Sequence, residues 1–468
     1  MLTLSSSRGS RDCAGVSRRD FLSAGTLGLG GLTLPWMLEQ RAQASGTGTS
    51  YVKDKAVVLL FLSGGATHIE TFNPNMDAPA PYHSVTGEVQ TTVPGMTFGG
   101  TFPMIAKHAE KFSVVRSFRS PDGGHSSGIV HVLNGGTDRM GPNKEAGYSM
   151  GSAYARLRGA NHPRTGMPTF ALLNSQEVDG QYRSERGRVM RGSAPGPLGP
   201  SFAPFNPSAK GEATANMKLR IDESRLDDRR ALLAGLDRLK HQAQASAQLE
   251  GVDRFKQQAF DLLLGSASEA FDLTQEKPAT VNRYDTSMHR VGKKVYRESQ
   301  LGRHFLTARR LVEAGCGFVT IHSAGWDMHA DGNNPGVAHG MEMLGRPVDK
   351  AVSAFLEDLE QRGLSDDVLL VVTGEFGRTP KINNRGGRDH WANLCTLAFA
   401  GGGLNQGQVI GRSARNNDVP ASEPILPPNL MATIFHTLFD VGTLRVTRGV
   451  PRELLAAVDN HTPIQELF

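Results

Sequence analysis

Short apolar runs that end abruptly in glycine and polar side chains constrain the fold of this chain more than any other feature. The runs AVVLLFL at 56–62 and VLLVVT at 368–373 are apolar on both strand faces. Such strands are typical of a parallel sheet that is covered by helices on both sides. Amphipathic helical patterns at 301–314 and 348–359 alternate with these runs. The alternation predicts an α/β fold with a mostly parallel central sheet flanked by helices.

Further elements follow the same pattern. Additional strands are predicted at 112–118, 168–174, 317–322 and 394–400, and additional helices at 103–111, from 125 onward and at 428–439.

The formal charge of +5 comes from 51 basic and 46 acidic residues that are spread along the chain without a basic run. This balance gives no support to nucleic-acid binding.

Residues 176–300 interrupt the alternation. The part at 176–207 is rich in Gly, Pro, Ser and Arg, which predicts a long surface loop whose arginines are solvated or border an anionic site. The part at 225–273 has leucine and phenylalanine at helical spacing, which predicts an amphipathic helical insertion. Loops and insertions on a rigid scaffold usually determine which substrate binds. We therefore expect the insertion at 176–300 to form a wall of the site.

The N-terminus has the order of an export signal. Paired arginines, Arg18 and Arg19, precede a glycine-diluted apolar run at 24–38 and the small-residue sequence Ala-Gln-Ala at 42–44. This order predicts a twin-arginine signal at 1–44, recognition by the twin-arginine export machinery, and one mature domain at 45–468 in the periplasm or outside the cell. The alternative is an N-terminal membrane anchor, although the run is short for a span, and we expect no stable span in the mature chain.

The chain contains three cysteines, and Cys13 falls in the predicted signal. Cys316 and Cys395 lie in apolar surroundings far apart in the sequence. They are expected to be buried core thiols rather than a disulfide or a metal site.

Metal-ligand residue types follow the predicted strands. Asp327 and His329 follow the strand at 317–322, Glu375 follows the strand at 368–373, and Asp389 and His390 precede the strand at 394–400. Because ligands in open α/β sheets bind beyond the carboxyl ends of the strands, we expect these side chains to converge. Carboxylate and imidazole together suit zinc, manganese or iron better than calcium. A divalent ion would neutralise an anionic ester and lower the pKa of a bound water.

A glycine-rich turn at 121–124 leads into a predicted helix that begins with His125, Ser126 and Ser127. A helix N-terminus favours anions, although the two serines are equally consistent with ordinary helix caps. Arg378 and Lys381, in the loop after Glu375, are candidates for binding an anionic group, and the alternative is a solvated basic loop.

Several of these segments carry a family resemblance. The runs are SGGATHIETFNP at 63–74, GWDMH at 325–329, VVTGEFGRTPKIN at 371–383 and GRDHW at 387–391, the last followed by AGGG. Together they resemble the bacterial family called domain of unknown function 1501, over nearly the whole mature chain. That family is considered similar to the alkaline phosphatase and sulfatase superfamily, whose members hydrolyse phosphate or sulfate esters at one or two metal ions.

The resemblance implies roles for individual residues. Glu375 resembles the aspartate of the superfamily's Asp-His or Asp-Asn pair, but Phe376 stands where the second ligand would be. Asp327, with His329 or Asp331, resembles the pair of the other metal site, and His390 resembles a later histidine ligand.

The same resemblance places His125 at the position of the nucleophile, with Ser126 and Ser127 adjacent. Ser63 or Gly64 stands where the first strand normally ends in a metal-binding aspartate, and His68 or Glu70 are candidates to substitute for it.

We therefore expect an exported metal-dependent hydrolase that acts on a phosphate or sulfate ester, either a small molecule or a polysaccharide. The expected metal ligands are Asp327, His329, Glu375, Asp389 and His390, the expected catalytic residues are His125, Ser126 and Ser127, and the expected substrate-binding residues are Arg378, Lys381 and His68. The alternative is a catalytically inactive protein of the same fold that binds a ligand or a cell-envelope partner.

Overall fold

Seven strands form the central sheet of the computed structural model, which describes residues 51–136, 147–175, 182–207, 266–292, 294–459 and 461–468. Numbered along the chain, the strands are β1 (Ala56–Leu62), β2 (Glu88–Gln90), β3 (Thr97–Gly99), β4 (Phe112–Val115), β5 (Phe170–Leu173), β6 (Arg290–Val291), β7 (Arg297–Glu298), β8 (Phe318–Ser323), β9 (Val368–Thr373), β10 (Gly377–Arg378), β11 (His390–Trp391), β12 (Leu397–Gly401) and β13 (Gln408–Ile410).

The strand order in the central sheet is β13-β4-β12-β9-β1-β8-β5. β12 pairs antiparallel with both β4 and β9, and the other pairs are parallel. The remaining strands form two-stranded antiparallel pairs, β2 with β3, β6 with β7 and β10 with β11. The predicted fold class, a mostly parallel sheet flanked by helices, is therefore confirmed.

Helices cover the sheet. They are α1 (His125–Leu133), α2 (Met150–Arg158), α3 (Arg183–Gly192), α4 (Pro278–Tyr284), α5 (Leu301–Glu313), α6 (Val337–Gly340), α7 (Arg346–Gln361), α8 (Pro427–Leu438), α9 (Val441–Val446) and α10 (Arg452–Asp459). A π-helical turn, Met341–Gly345, joins α6 to α7, and 3-10 turns occur at Ile105–Lys111, Gly196–Leu198, Pro200–Phe202, Ser266–Phe271, Leu273–Gln275 and Gln465–Leu467.

Side chains along each strand point alternately to the two faces of the sheet, and both faces are buried. On one face, Val58, Leu60 and Leu62 of β1 join a core to which α5 and α7 contribute. On the other face, the ring of Phe318 in β8 lies 6.4 Å from that of Tyr154 in α2. All seven residues of β1 are buried, which is the property that the apolar run predicts for a central strand.

The structure differs from the sequence prediction within 176–207. Residues 183–192 form helix α3 rather than a loop, and Glu185 and Val189 in this helix are buried. The sequence RSERGRVMRG has no apolar stripe, so periodicity could not identify the helix.

Other predictions fall outside the described residues. The export segment at 1–44 lies there, as does the predicted helical insertion up to residue 265, while Ser266–Phe271 forms a 3-10 turn. Residues Val52–Phe468 group as one compact unit. Among the described residues, no helix combines the length and the apolar character needed to cross a membrane.

Cys316 and Cys395 are buried, free thiols, as predicted. Burial raises the pKa of each thiol to about 12. Both cysteines therefore serve as core side chains.

Candidate functional site

Five chain segments meet at one edge of the central sheet, and strand direction explains why. β1, β8 and β9 are parallel neighbours, and the loops after their carboxyl ends carry Gly64, Asp327 and Glu375. β12 runs in the opposite direction, so the residues that precede it, among them His390, reach the same edge. β4 runs in the direction of β9, and the segment after it leads to His125.

Asp327 lies at the centre of a polar cluster. Its Oδ1 atom is 2.9 Å from Nε2 of His329 and 3.4 Å from Nε2 of His390. Its Oδ2 atom is 3.5 Å from Nε2 of His125. Nη2 of Arg378 also donates to Oδ1. The carboxylate thus gathers the Nε2 atoms of three histidines that are distant in sequence.

The other ring nitrogen of His125 and of His390 is held from outside the cluster. Nδ1 of His125 is 2.9 Å from Oε1 of Glu375, and Nδ1 of His390 is 2.9 Å from the carbonyl oxygen of Gly123. Because a carbonyl oxygen only accepts, Nδ1 of His390 carries a hydrogen, and Nε2 is the ring nitrogen that faces the Asp327 carboxylate. An acceptor on the distal nitrogen is the usual arrangement around a metal-binding histidine.

The spacing of the donor atoms fits a metal ion. One donor atom each from His125, Asp327 and His390 lie within 4.8 Å of one another. Nε2 of His390 is 3.4 Å from Oδ1 of Asp327, and Nε2 of His125 is 3.5 Å from the other carboxylate oxygen, Oδ2. Each separation is close to the roughly 3.3 Å between two ligands of a tetrahedral zinc ion with bonds near 2.0–2.1 Å. Three protein ligands leave one coordination position open, which is the pattern of catalytic zinc sites.

His329 and Asp389 lie beside this group. Nδ1 of His329 is 2.8 Å from Oδ1 of Asp389, whose side chain is 56% exposed. Nε2 of His329 is 2.9 Å from Oδ1 of Asp327 and 3.3 Å from Nη1 of Arg378. His329 thus makes hydrogen bonds at both nitrogens, and Asp389 supports it from outside rather than joining the group of three donors.

Glu375, also predicted as a ligand, lies behind His125. Its side chain is fully buried, and Oε1 accepts from the backbone N–H of Gly64 at 2.9 Å as well as from His125. Its Oε2 atom has no hydrogen-bond partner among the described residues. The carboxylate therefore orients the His125 ring and adds a buried negative charge to the site.

Charged groups in the cluster shift one another's pKa values. Burial alone would raise the pKa of Asp327, but hydrogen bonds from His125, His329 and His390, with the charge of Arg378, lower it far below its usual range. Burial alone would lower the pKa of His125, but Asp327 and Glu375 raise it to about 9. The hydrogen bond to Asp327 likewise raises the pKa of His329. The carboxylates thus favour the charged forms of the His125 and His329 rings.

Arg378 is fully buried, and its guanidinium group faces protein atoms. Nε donates to the carbonyl oxygen of Gly65 at 2.9 Å, and Nη1 faces His329 and the carbonyl oxygen of Arg388. Nη2 donates to Asp327 and to the carbonyl oxygen of Gly64. All five N–H groups face protein atoms, so these contacts give no support to the prediction that Arg378 binds a substrate anion.

The first turn of α1 borders the cluster through His125. Its N-cap residue, Gly124, supplies no capping side chain. Ser126 and Ser127 are half-buried in this turn, and Oγ of Ser127 is 3.5 Å from the carbonyl oxygen of Gly124. Within the described ranges, neither serine hydroxyl forms a hydrogen bond to the three donors.

The two remaining predicted residues lie apart from the cluster. His68 is 3% exposed, Nε2 donates to the carbonyl oxygen of Asn417 at 3.0 Å, and burial lowers its pKa to about 4. It is a neutral core histidine, so its position gives no support to a substrate contact. Lys381 is exposed on the loop after β10.

A second buried network lies behind the cluster, and the sequence analysis did not identify it. Oγ of Ser63 is 2.6 Å from both Oε2 of Glu185 and Nε2 of His322. Nδ1 of His322 is 2.6 Å from Oδ1 of Asn174, and Oε2 of Glu185 accepts from the N–H of Gly325. Glu185 thus connects α3 to the loops after β1 and β8. The sequence signal that could have indicated this network was Glu185, a single carboxylate in an arginine-rich segment.

Comparison with solved structures returns proteins of low similarity. A lipoteichoic acid synthase, LtaP from Listeria monocytogenes, has a TM-score of 0.38 and 7% identity, with 89% of this chain and 81% of that chain covered. The phosphonate monoester hydrolase SpPMH from Silicibacter pomeroyi has a TM-score of 0.35 and 11% identity, with 82% and 73% covered. PsFucS1 sulfatase from Pseudoalteromonas sp. has a TM-score of 0.33 and 12% identity, with 81% and 68% covered. Scores below 0.5 do not establish a common fold, so the fold rests on the strand order above.

Comparison with sequences gives one clear result. A family model described as a protein of unknown function, DUF1501, matches residues 54–468. No curated protein matches the sequence.

Proposed function

The chain belongs to the DUF1501 family, whose description assigns no activity, and we propose from the site itself that it is an exported, metal-dependent hydrolase of phosphate or sulfate esters. The observation that carries this proposal is the convergence of His125, Asp327 and His390, with the distal nitrogens of both histidines held by outer acceptors. A divalent ion such as zinc or manganese would be held by these three residues. When bound, it would polarise an ester oxygen and lower the pKa of a water.

The surrounding residues have supporting roles in this proposal. Glu375 and Asp389 fix the rings of His125 and His329, and Arg378 holds the Asp327 carboxylate in place. Outer partners of this kind raise the basicity of metal-binding histidines and fix their orientation. The predicted ligands Glu375 and Asp389 are thus reassigned as outer carboxylates, and His125 is reassigned from nucleophile to ligand.

The N-terminus of α1 supplies a place for the ester oxygens. A helix N-terminus presents unpaired N–H groups and the positive end of the helix dipole, and here it adjoins His125. Ser126 or Ser127, in the same turn, would provide the nucleophile or orient the attacking water. Lys381, exposed on the loop after β10, is the remaining candidate for contact with a small-molecule or polysaccharide ester.

The test is a metal analysis of the purified mature protein together with a panel of aryl phosphate and aryl sulfate esters. We expect about one tightly bound divalent ion per chain and turnover of at least one ester class. His125→Ala and His390→Ala should each lower metal affinity at least about tenfold and lower turnover in parallel, because each removes a ligand. The control is His461→Ala, because within the described ranges the His461 ring forms no hydrogen bond or ion pair with the cluster.

The outcomes separate the candidate functions. A protein that binds no divalent ion, or whose affinity is unchanged in both ligand variants, is not a metal-dependent hydrolase. Metal that is retained without turnover of any ester would instead support the alternative, a catalytically inactive ligand-binding or cell-envelope protein.

A further inference from the structure

Helix α3 has a basic surface that the proposed function does not use. Its sequence, RSERGRVMRG at 183–192, contains one carboxylate among its arginines. The buried residues Glu185, Val189 and Gly192 recur at the spacing of one helix face, and this face packs against α1 and the loops at the sheet edge. The rest of the helix surface carries four arginines, Arg183, Arg186, Arg188 and Arg191.

The single carboxylate of the helix points away from these arginines. Oε2 of Glu185 accepts hydrogen bonds from Oγ of Ser63 and from the N–H of Gly325 in the protein interior. Among the described residues, no ion pair or hydrogen bond joins any of the four guanidinium groups to a carboxylate. Nε of Arg186 is buried and has no hydrogen-bond partner within these ranges. The described part of the protein therefore leaves the positive charge of α3 without a counter-charge.

The segments around α3 explain this lack. The described segments 123–136, 147–158 and 193–207, which include α1 and α2, contain no Asp or Glu. Glu177 and Asp179 precede the helix outside the described residues, and together they can balance only two of the four charges. Like charges three residues apart destabilise a helix, and two pairs of these arginines have that spacing. A bound anion would therefore stabilise α3.

The arginines are too far apart to share one small anion. With a rise of 1.5 Å per residue, Arg183 and Arg191 are about 12 Å apart along the helix axis. An extended chain that carries repeated anionic groups can contact both ends of the helix, whereas a single sulfate or phosphate ion cannot. Guanidinium groups hold planar oxygen pairs through two parallel N–H bonds, which favours Arg over Lys for such contacts.

The other side chains on this surface limit the class of polymer. The helix carries no aromatic side chain on which the bases of a single-stranded nucleic acid could stack. Met190, 47% exposed, is the one large apolar side chain that α3 exposes, which is too little apolar surface for a helix that inserts into a lipid headgroup layer. A sugar chain with anionic groups requires neither feature.

We propose that α3 is a docking surface for an extended anionic polysaccharide, whose sulfate or carboxylate groups its arginines bind. The helix begins close to the candidate site, since the Tyr182 ring lies 3.4 Å from the Cβ position of Gly325, two residues before Asp327. The inference goes beyond the proposed function, because docking requires neither a metal ion nor hydrolysis.

The test measures binding of fluorescently labelled dextran sulfate to the full mature protein, with uncharged dextran of the same length beside it. We expect dextran sulfate to bind, uncharged dextran not to bind, and the affinity to fall between about 50 mM and about 200 mM salt. The double variant Arg183→Gln/Arg191→Gln should weaken binding at least about tenfold, because it removes two charge-assisted contacts. Glutamine has a helix propensity similar to that of arginine, so the variant should fold as wild type does.

The matched control is Arg448→Gln/Arg452→Gln, which removes the same charge at two exposed positions in another part of the chain. Its affinity for dextran sulfate should stay within about twofold of wild type, because the loss of distant exposed charges is screened. An equal loss of affinity in both double variants, or no binding of dextran sulfate by wild type, overturns the inference.

Further probes decide the class of partner. Polygalacturonate, compared with dextran sulfate, distinguishes carboxylate from sulfate groups, and tight binding of either polymer supports the inference. Tighter binding of a single-stranded oligonucleotide or of phosphatidylserine vesicles than of both polysaccharides overturns it.

The outcome is separable from that of the proposed function. Protein treated with a chelator, and the His390→Ala variant, should both bind dextran sulfate as wild type does, even if neither holds a metal ion. Loss of polymer binding in these two samples would show that the polymer is held at the candidate metal site instead of α3, and it would overturn the inference.

Discussion

Glu375 illustrates how a single buried carboxylate acts through its neighbour. Its position after β9 predicts a place in the site, and its side chain does reach the site edge. The sequence could not distinguish a ligand from a residue one contact further out, because that depends on how the loop turns after Thr373. In the structure His125 stands between Glu375 and the other donors, so the carboxylate acts by holding the ring.

Glu375→Gln tests this role. The amide oxygen can still accept from Gly64 and His125, but the negative charge behind the ring is lost. We expect zinc affinity to fall about 10- to 100-fold, as for other outer carboxylates of metal-binding histidines. Competition with a chromophoric chelator measures the change. An affinity equal to that of the wild type would exclude a role for the Glu375 charge.

Glu185 gives a prediction for stability against pH. Burial raises its pKa from 4.5 to about 7, against the hydrogen bonds from Ser63 and Gly325. A raised folded-state pKa stabilises the protein below pH 4.5, and this contribution is lost as the pH rises through about 7. In Glu185→Gln this loss is absent, so the melting temperature of the variant relative to wild type should rise between pH 5 and pH 8.

Thermal denaturation across that pH range measures the difference. Glu423→Gln makes the same change at an exposed position and should show no such trend. A constant difference between Glu185→Gln and wild type at all pH values would contradict the assignment.

At the scale of elements, the close fit between the loops after β1 and β8 positions Asp327. Gly64 has a φ of +108°, and a Cβ atom there would lie 2.5 Å from the backbone N of Asp327 and 2.8 Å from that of Trp326. The N–H of Trp326 donates to the carbonyl oxygen of Ser63 at 3.0 Å, which holds the two loops together. Only glycine allows this approach.

Gly64→Ala should therefore lower both stability and zinc affinity. We expect a loss of about 2–4 kcal/mol in the free energy of unfolding, from steric overlap and left-handed backbone strain together. Gly95→Ala is the matched control, since Gly95 has a φ of +77° but open space around its Cβ position. It should cost only about 1 kcal/mol and leave zinc affinity unchanged. Denaturant unfolding and calorimetry measure the two quantities.

Strands and helices with clear patterns were predictable because a single physical property determines each of them. β1 and β9 are apolar on both faces, and α5 and α7 carry an apolar stripe. α3 was not predictable, because its formation depends on packing against other elements and on the buried bonds of Glu185 rather than on its own sequence.

At the scale of the whole molecule, the site combines residues that are far apart in the sequence. The rule that strand ends share one edge predicted that Asp327 and His390 meet, and the structure brings them together. The rule does not determine that β12 is antiparallel, which brings His390 to the edge from the amino end of a strand. It also could not predict that the five donors of Arg378 turn inward, because side-chain direction depends on tertiary packing.

The export prediction concerns the full chain. The paired arginines at 18 and 19 predict recognition by the twin-arginine machinery. Replacing both arginines with lysine preserves the charge but removes the paired guanidinium groups. We expect the double variant to accumulate in the cytoplasm as uncleaved precursor, and cell fractionation with immunoblotting detects it. Normal export of this variant would contradict the twin-arginine assignment.

The two buried thiols offer a way to measure transient opening of the fold. Cys316 precedes β8 at one end of the sheet, and Cys395 lies just before β12 at the other, near the polar cluster around Asp327. With pKa values of about 12 and no solvent access, neither thiol reacts with a labelling reagent while the fold is closed. The rate of labelling at each cysteine therefore measures how often its own end of the sheet opens. Zinc should slow the reaction at Cys395 more than at Cys316 if the bound ion stabilises the nearer end.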